Sequence, residues 1–156
     1  MQTTDIFQLI VLIILLLLSG FFSSAEAALT TSNRIRMRTL AEEGDKRAVR
    51  VLAITDDSSK MLSAILIGNN IVNLSASSLA TSLTLKLFGS VGVGIATGVL
   101  TLLVLIFGEI SPKTMATINA DKIALSYSGI ILFLMKLLTP VIFVVNALSM
   151  MLLKLL

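Results

Sequence analysis

LFGSVGVGIATGVLTLLVLIFGEISPK, residues 87–113, is the stretch that decides the fold. No charged residue occurs from Leu87 through Gly108, a length sufficient for a helix to cross the hydrocarbon core of a bilayer. The run then ends on a carboxylate, Glu109, followed by Pro112 and Lys113. A carboxylate at the end of a membrane-length apolar segment is expensive to keep there, which makes Glu109 a candidate site residue. Gly108 lets the backbone approach a ligand closely. Pro112 has no N–H, so a carbonyl one turn earlier, near Gly108, loses its usual helical partner. A carboxylate beside a freed carbonyl is a donor pair for a hard cation.

Two further uncharged runs lie upstream. Residues 6–25, between Asp5 and Glu26, include IFQLIVLIILLLLSGFF. They lack a basic leader and a small-residue cleavage site, so they read as a membrane helix over about 5–30, not a signal peptide. Residues 61–85, MLSAILIGNNIVNLSASSLATSLTL, predict a second helix over about 59–86. A lipid-facing helix has no use for three Asn and many Ser and Thr; a helix lining a site does. The third helix is expected over about 90–112. Its Gly-rich start suits close helix–helix approach, and Gly89, Gly92, Gly94 and Gly98 leave little bulk to resist movement there.

Composition agrees. The 156 residues are 56% hydrophobic and only 13% charged, against roughly 25% charged in a soluble domain. They form one all-α integral membrane domain, residues 1–156. With no Cys and no His, disulfides, thiolate and imidazole metal ligation and His-based acid–base catalysis are excluded. Only oxygen ligands remain.

Between the first two helices lies TSNRIRMRTLAEEGDKRAVRVLAITDDSSK, residues 31–60. Arg34, Arg36, Arg38, Lys46, Arg47, Arg50 and Lys60 place it in the cytoplasm and the N-terminus outside. This distribution accounts for the net charge of +3 without nucleic-acid binding. The segment predicts two short helices over about 32–56, split at Gly44, with Ile35, Leu40, Val49 and Leu52 as apolar contacts. Asp56, Asp57 and Ser58 are candidate caps for the second membrane helix. The tail, about 121–156, is hydrophobic but interrupted by Lys136, Pro140 and Lys154. A lysine near mid-span is costly, so a kinked belt helix at the cytoplasmic interface, its lysines snorkelling, is expected in preference to a further span.

Polar residues inside the runs have two readings each. Ser19 and Ser23 lie four apart, on one helix face. They either bond back to carbonyls of their own helix or serve a site. Asn69 and Asn73 are likewise four apart, and Asn70 points some 100° away. Three Asn in five residues favour an ion pathway over a simple amide network. Glu109 is either a site carboxylate or a partner for Lys113 one turn on. Glu26 either joins the site or merely marks the cytoplasmic end of its helix. A Ser–Lys hydrolase built on Ser23, Ser24 or Ser111 with Lys113 is disfavoured, because Lys113 lies beside Pro112 at a helix end in water. The expectation is not an enzyme.

SGFFSSAEAAL (19–29), NRIRMRTLAEEGDKRAVRVL (33–52), LIGNNIVN (66–73) and FGEISPK (107–113), in this order and spacing, resemble the transmembrane module of the CorC/CNNM magnesium transporters. The resemblance runs from about Ser19 to Lys122. It implies three spanning helices, a pair of short cytoplasmic helices and a belt-like juxtamembrane helix, in a homodimer in the plasma membrane. It also implies export of Mg²⁺, with Na⁺ as coupling ion; the alternative is a Mg²⁺-binding sensor or scaffold without transport. The implied metal ligands are Ser19, Ser23, Asn69, Asn70, Asn73, Gly108 through its carbonyl, and Glu109. Members continue into cytoplasmic CBS domains that bind ATP. This sequence stops at Leu156, so a truncated chain or short homologue is expected, and ATP regulation is not expected within these residues.

Overall fold

A computed structural model describes residues 3–156. Helix α1 (Thr3–Thr31) leads to two short helices, α2 (Arg34–Glu42) and α3 (Lys46–Asp56). The long helix α4 (Ser58–Leu103) follows and passes into a π-helical segment, Val104–Ile110, and then α5 (Ser111–Ile118). The chain closes with α6 (Ala120–Leu137) and α7 (Thr139–Leu155). By length and composition two helical runs can cross a membrane, Thr3–Thr31 and Ser58–Ile118, and the bent α6–α7 pair passes the same test as a possible third.

The second run is not one rod. Gly89 has φ 71° and ψ −172°, a conformation essentially closed to residues with a Cβ. Asn69 before it and Gly108 after it both reach Ser19 of α1. A straight helix would hold them roughly 58 Å apart at 1.5 Å per residue. The chain therefore reverses at Gly89, and residues 58–88 and 90–110 run antiparallel beside α1. Ala80, Leu83 and Thr84 of the first limb face Gly92, Ala96 and Leu100 of the second across a cavity of about 390 Å³ that Leu12 of α1 also lines. Near this reversal Lys86 is ion-paired with the buried Asp5, which ties the start of α1 to the first limb.

The expectation that the Gly-rich start serves close helix packing is corrected in part. A Cβ on Gly94 or Gly98 would meet nothing within 4 Å, so these face away from the rest of the chain. Gly92 does sit close, since a Cβ there would lie 2.6 Å from Phe88 Cβ and 3.5 Å from Thr84 Cγ2, and two further close approaches lie outside the stretch. A Cβ on Gly68 would sit 2.5 Å from the Phe22 ring, and one on Gly20 would sit 3.2 Å from the Phe107 carbonyl oxygen. These two glycines let α1 press against α4 and against the π segment.

At the other end α2, α3 and the start of α4 are capped as their sequence requires. The Asn33, Asp45 and Asp57 side chains accept from the backbone N–H groups of Arg36, Arg47 and Lys60 at 3.1, 2.8 and 3.2 Å. Arg47 also bonds Asp45 through its side chain, which holds that carboxyl below its ordinary range. Gly44, with φ 97°, makes the break between α2 and α3. The contact residues differ from those expected. Ile35 and Val49 are 76% and 52% exposed, whereas Met37, Ala48, Val51 and Ile54 are buried. Leu40 and Leu52 do pack against the core. The buried face of each short helix is set by what covers it, and α3 is covered by α6. The sequence stretch alone does not contain α6.

Helix α6 is anchored to this layer: Asp121 accepts from the Asn33 backbone N–H at 2.8 Å and pairs with Arg36 at 3.3 Å. Helix α7 departs from α6 by 64°. Pro140, in the first turn of α7, cannot continue the α6 hydrogen-bond ladder, and the kink follows. Lys136 stands exposed at the end of α6.

Candidate cation site

The site is assembled where α1 crosses the limbs of the hairpin. Ser19 and Ser23 are each 1% exposed, deep in the packing. Ser19 Oγ donates to Asn69 Oδ1 at 3.4 Å, a long O–H···O contact well beyond the usual 2.7–2.8 Å. Ser23 Oγ and Asn73 Oδ1 are buried with no hydrogen-bond partner. A buried oxygen left unsatisfied costs about 1–3 kcal/mol, a penalty that coordination of a ligand by these two oxygens would offset.

The contrast with Ser24 separates the two readings of these serines. Ser24 Oγ donates to the Gly20 carbonyl at 2.7 Å and so behaves as a serine satisfied by its own helix. Thr30 does the same with Glu26 at 2.7 Å. Ser19 and Ser23 do not; Ser19 meets Asn69, and Ser23 lies one turn further along the same face of α1.

From the other side comes the π segment. Gly108 is buried, and a Cβ there would lie 2.9 Å from Ser19 Oγ and 3.3 Å from Ser19 Cβ. Only glycine lets the backbone come this close without displacing the hydroxyl. The wider turn results from i→i−5 bonding, as in Ser111 N–H to Ile106 O. Pro112 then withholds the donor that the Gly108 carbonyl would use in an α-helix and the Phe107 carbonyl in a π-helix. Such bulges recur at functional sites because they aim carbonyls away from the helix ladder.

Glu109 follows directly and is partly buried. It makes no ion pair among the described residues. Lys113, the partner in the alternative reading of Glu109, instead reaches Glu26 of α1 at 3.3 Å. Asn70 lies on the exposed side of α4, and the structure does not bring it to the Ser19 group. Ser19 thus meets Asn69 on one side and the backbone of Gly108 on the other. Ser23, Asn73 and Glu109 stand one turn or one residue from them.

No three His, Cys, Asp or Glu side chains cluster among the described residues. A carboxylate cage is therefore not what this fold offers. The donor set is hydroxyl, amide and carbonyl oxygen with one carboxylate, which suits a hard cation that keeps part of its water. Sequence reading missed Gly20 and Gly68, whose role is contact with residues far along the chain. It also left the partners of Lys113 and Glu26 open, since nothing in their spacing joins α5 to α1.

Residues 10–156 match the family described as "Cyclin M transmembrane N-terminal domain". The chain is 40% identical over 130 residues to "UPF0053 inner membrane protein YfjD" of Escherichia coli (strain K12), covering 83% of this chain and 30% of that protein. It is 41% identical over 122 residues to a "UPF0053 protein" of Haemophilus influenzae, covering 78% of this chain and 29% of that one. A chloroplastic DUF21 domain-containing protein of Arabidopsis thaliana is 40% identical over 132 residues, which is 85% of this chain and 20% of that protein. The chain thus spans less than a third of the length of these relatives. With this match over nearly its whole length, and with membrane-length helices in the fold, the chain belongs to the CNNM (DUF21/UPF0053) family of membrane proteins.

Proposed function

We propose that this domain is a divalent-cation transport module that moves Mg²⁺ out of the cell in exchange for Na⁺. The observation that carries the reading is the pair of orphaned buried oxygens, Ser23 Oγ and Asn73 Oδ1, each one helical turn from the long Ser19–Asn69 contact, with Gly108, the residue before Glu109, packed against Ser19. Neutral oxygens supply coordination, and one carboxylate supplies modest charge. Such a set binds and releases, whereas several carboxylates would store. Absence of His and Cys turns the set away from Zn²⁺ and Cu²⁺. The choice of Mg²⁺ over Ca²⁺, and of Na⁺ as counter-ion, comes from the family resemblance.

The purified protein in liposomes is expected to move Mg²⁺ across the bilayer, faster when a Na⁺ gradient opposes the Mg²⁺ flux. Cation binding without any flux would instead support a sensor or scaffold. Absence of both binding and flux would remove the site assignment altogether.

The direction of transport needs a sidedness. We place the basic layer of α2 and α3 in the cytoplasm and the N-terminus outside, on the positive-inside distribution of Lys and Arg. Arg38→Cys and Thr3→Cys report on it, since the chain has no native Cys and both positions are exposed. A membrane-impermeant thiol reagent added to intact cells is expected to label the Thr3→Cys protein and to spare the Arg38→Cys protein. The reverse pattern would invert the transport direction assigned above.

A further inference from the structure

Helix α1 continues past the site on the same face. Ser19, Ser23 and Glu26 are spaced four and three residues apart, so their side chains form one column. On the opposite wall Glu109 is followed one turn later by Lys113. Glu26 and Lys113 are therefore each one turn beyond the site, on the side of the basic layer, and they meet at 3.3 Å. Their side chains are 40% and 45% exposed, which leaves both within reach of water and ions. An exposed pair of this kind contributes little to stability and breaks readily. Along α1, Glu26 lies three residues from Ser23, whose hydroxyl oxygen is left without a partner.

An ammonium group is a compact point charge with three donors. Against a carboxylate at the mouth of a cation site it occupies the position that an arriving hydrated cation would take. We propose that Glu26 is a cation-receiving carboxylate at the cytoplasmic mouth of the site and that Lys113 is its exchangeable counter-charge. A hydrated divalent cation displaces the ammonium from Glu26, keeps its own water there, and passes one turn inward to Ser23 and Glu109. When the cation has left, Lys113 returns to Glu26 and its positive charge opposes entry of a second ion. This inference rests on the transport reading of the same site.

The test compares Mg²⁺ titrations of the wild-type protein with Glu26→Gln, Lys113→Gln and the double variant at low ionic strength, with Glu109→Gln as the reference for loss of the inner site. Lys113→Gln leaves an uncompensated carboxylate at the mouth and is expected to tighten apparent Mg²⁺ affinity roughly three- to tenfold, since one charge acts across a partly solvated gap. Glu26→Gln leaves an uncompensated ammonium and is expected to weaken it by a similar factor. The double variant should lie within about twofold of wild type, and all differences should shrink as salt shortens the screening length. Opposite signs in the two single variants support the proposal. A purely structural tie between α1 and α5 would move both in the same direction, and that result overturns it, as would unchanged affinity in both. If the wild-type protein binds no Mg²⁺ at all, the transport reading fails and the mouth assignment fails with it. If wild type binds and only Glu109→Gln loses binding, the mouth assignment alone fails.

Discussion

Purified Glu109→Gln protein is expected to give no measurable heat of Mg²⁺ binding while eluting and melting as the wild type does. Glutamine keeps the size and shape of the side chain and removes its charge. No cluster of three acidic, His or Cys side chains exists among the described residues to take over. Lys113 is engaged with Glu26, so it offers Glu109 no compensation that the substitution would release. Even at an effective dielectric constant of about 20, one unit pair at 4 Å is worth ~4 kcal/mol, and a divalent ion feels each carboxylate twice over. Each 1.4 kcal/mol is a factor of about ten, so affinity should fall on the order of 100-fold or more after screening. Isothermal titration calorimetry decides. Mg²⁺ affinity unchanged in Glu109→Gln would remove Glu109 from the site and leave the neutral oxygens as packing contacts.

The second large effect is expected at the hairpin. Gly89→Ala places a Cβ on a backbone with φ 71° and ψ −172°. Nothing lies within 4 Å of that Cβ, so the cost is conformational and not steric contact with a neighbour. Residues forced into such regions cost about 1–3 kcal/mol. For a chain of this size that corresponds to a melting temperature lowered by about 5 °C. Gly94→Ala supplies the comparison. It too has open space, but its backbone is helical, so alanine should be neutral or slightly stabilising. Thermal unfolding in detergent would show the difference. Equal melting of the two variants would mean that the reversal does not depend on the backbone of Gly89.

Much of the site was legible in the chain, and for one reason. Spacings of three and four report directly on a helix face, so Ser19 with Ser23, and Asn69 with Asn73, could be paired before any fold was known. Glu109 was legible because charge at the end of an apolar run is rare. Asn70 shows the limit of that reasoning: its own periodicity turned it away from Asn69 and Asn73, and it lies on the exposed side. Lys113 shows a different limit. Its nearest carboxylate along the helix was Glu109, but a lysine reaches several ångströms, and the neighbouring helix brought Glu26 closer. The glycines divide likewise. Gly108 could be suspected beside Glu109. Gly20 and Gly68 could not, because what they admit, the Phe107 carbonyl and the Phe22 ring, belongs to other helices.

By itself the sequence determined the class of the protein, its helical runs, the short basic layer and the chemistry of the donors. These are properties of composition and local period, and a membrane enforces them, since every backbone polar group in lipid must be satisfied within its own helix. The kink before Pro140 belongs here too, because a missing N–H acts on its own helix. Only the tertiary structure decided which face of α2 and α3 is buried, which oxygens are left without partners, and which charges pair. Asp5 with Lys86, Asn33 with Asp121 and Glu26 with Lys113 are each joined across different helices. No local rule links such residues. Their meeting follows from the reversal at Gly89 and the close crossings at Gly20, Gly68 and Gly108, where missing side chains let helices approach until distant groups share one site.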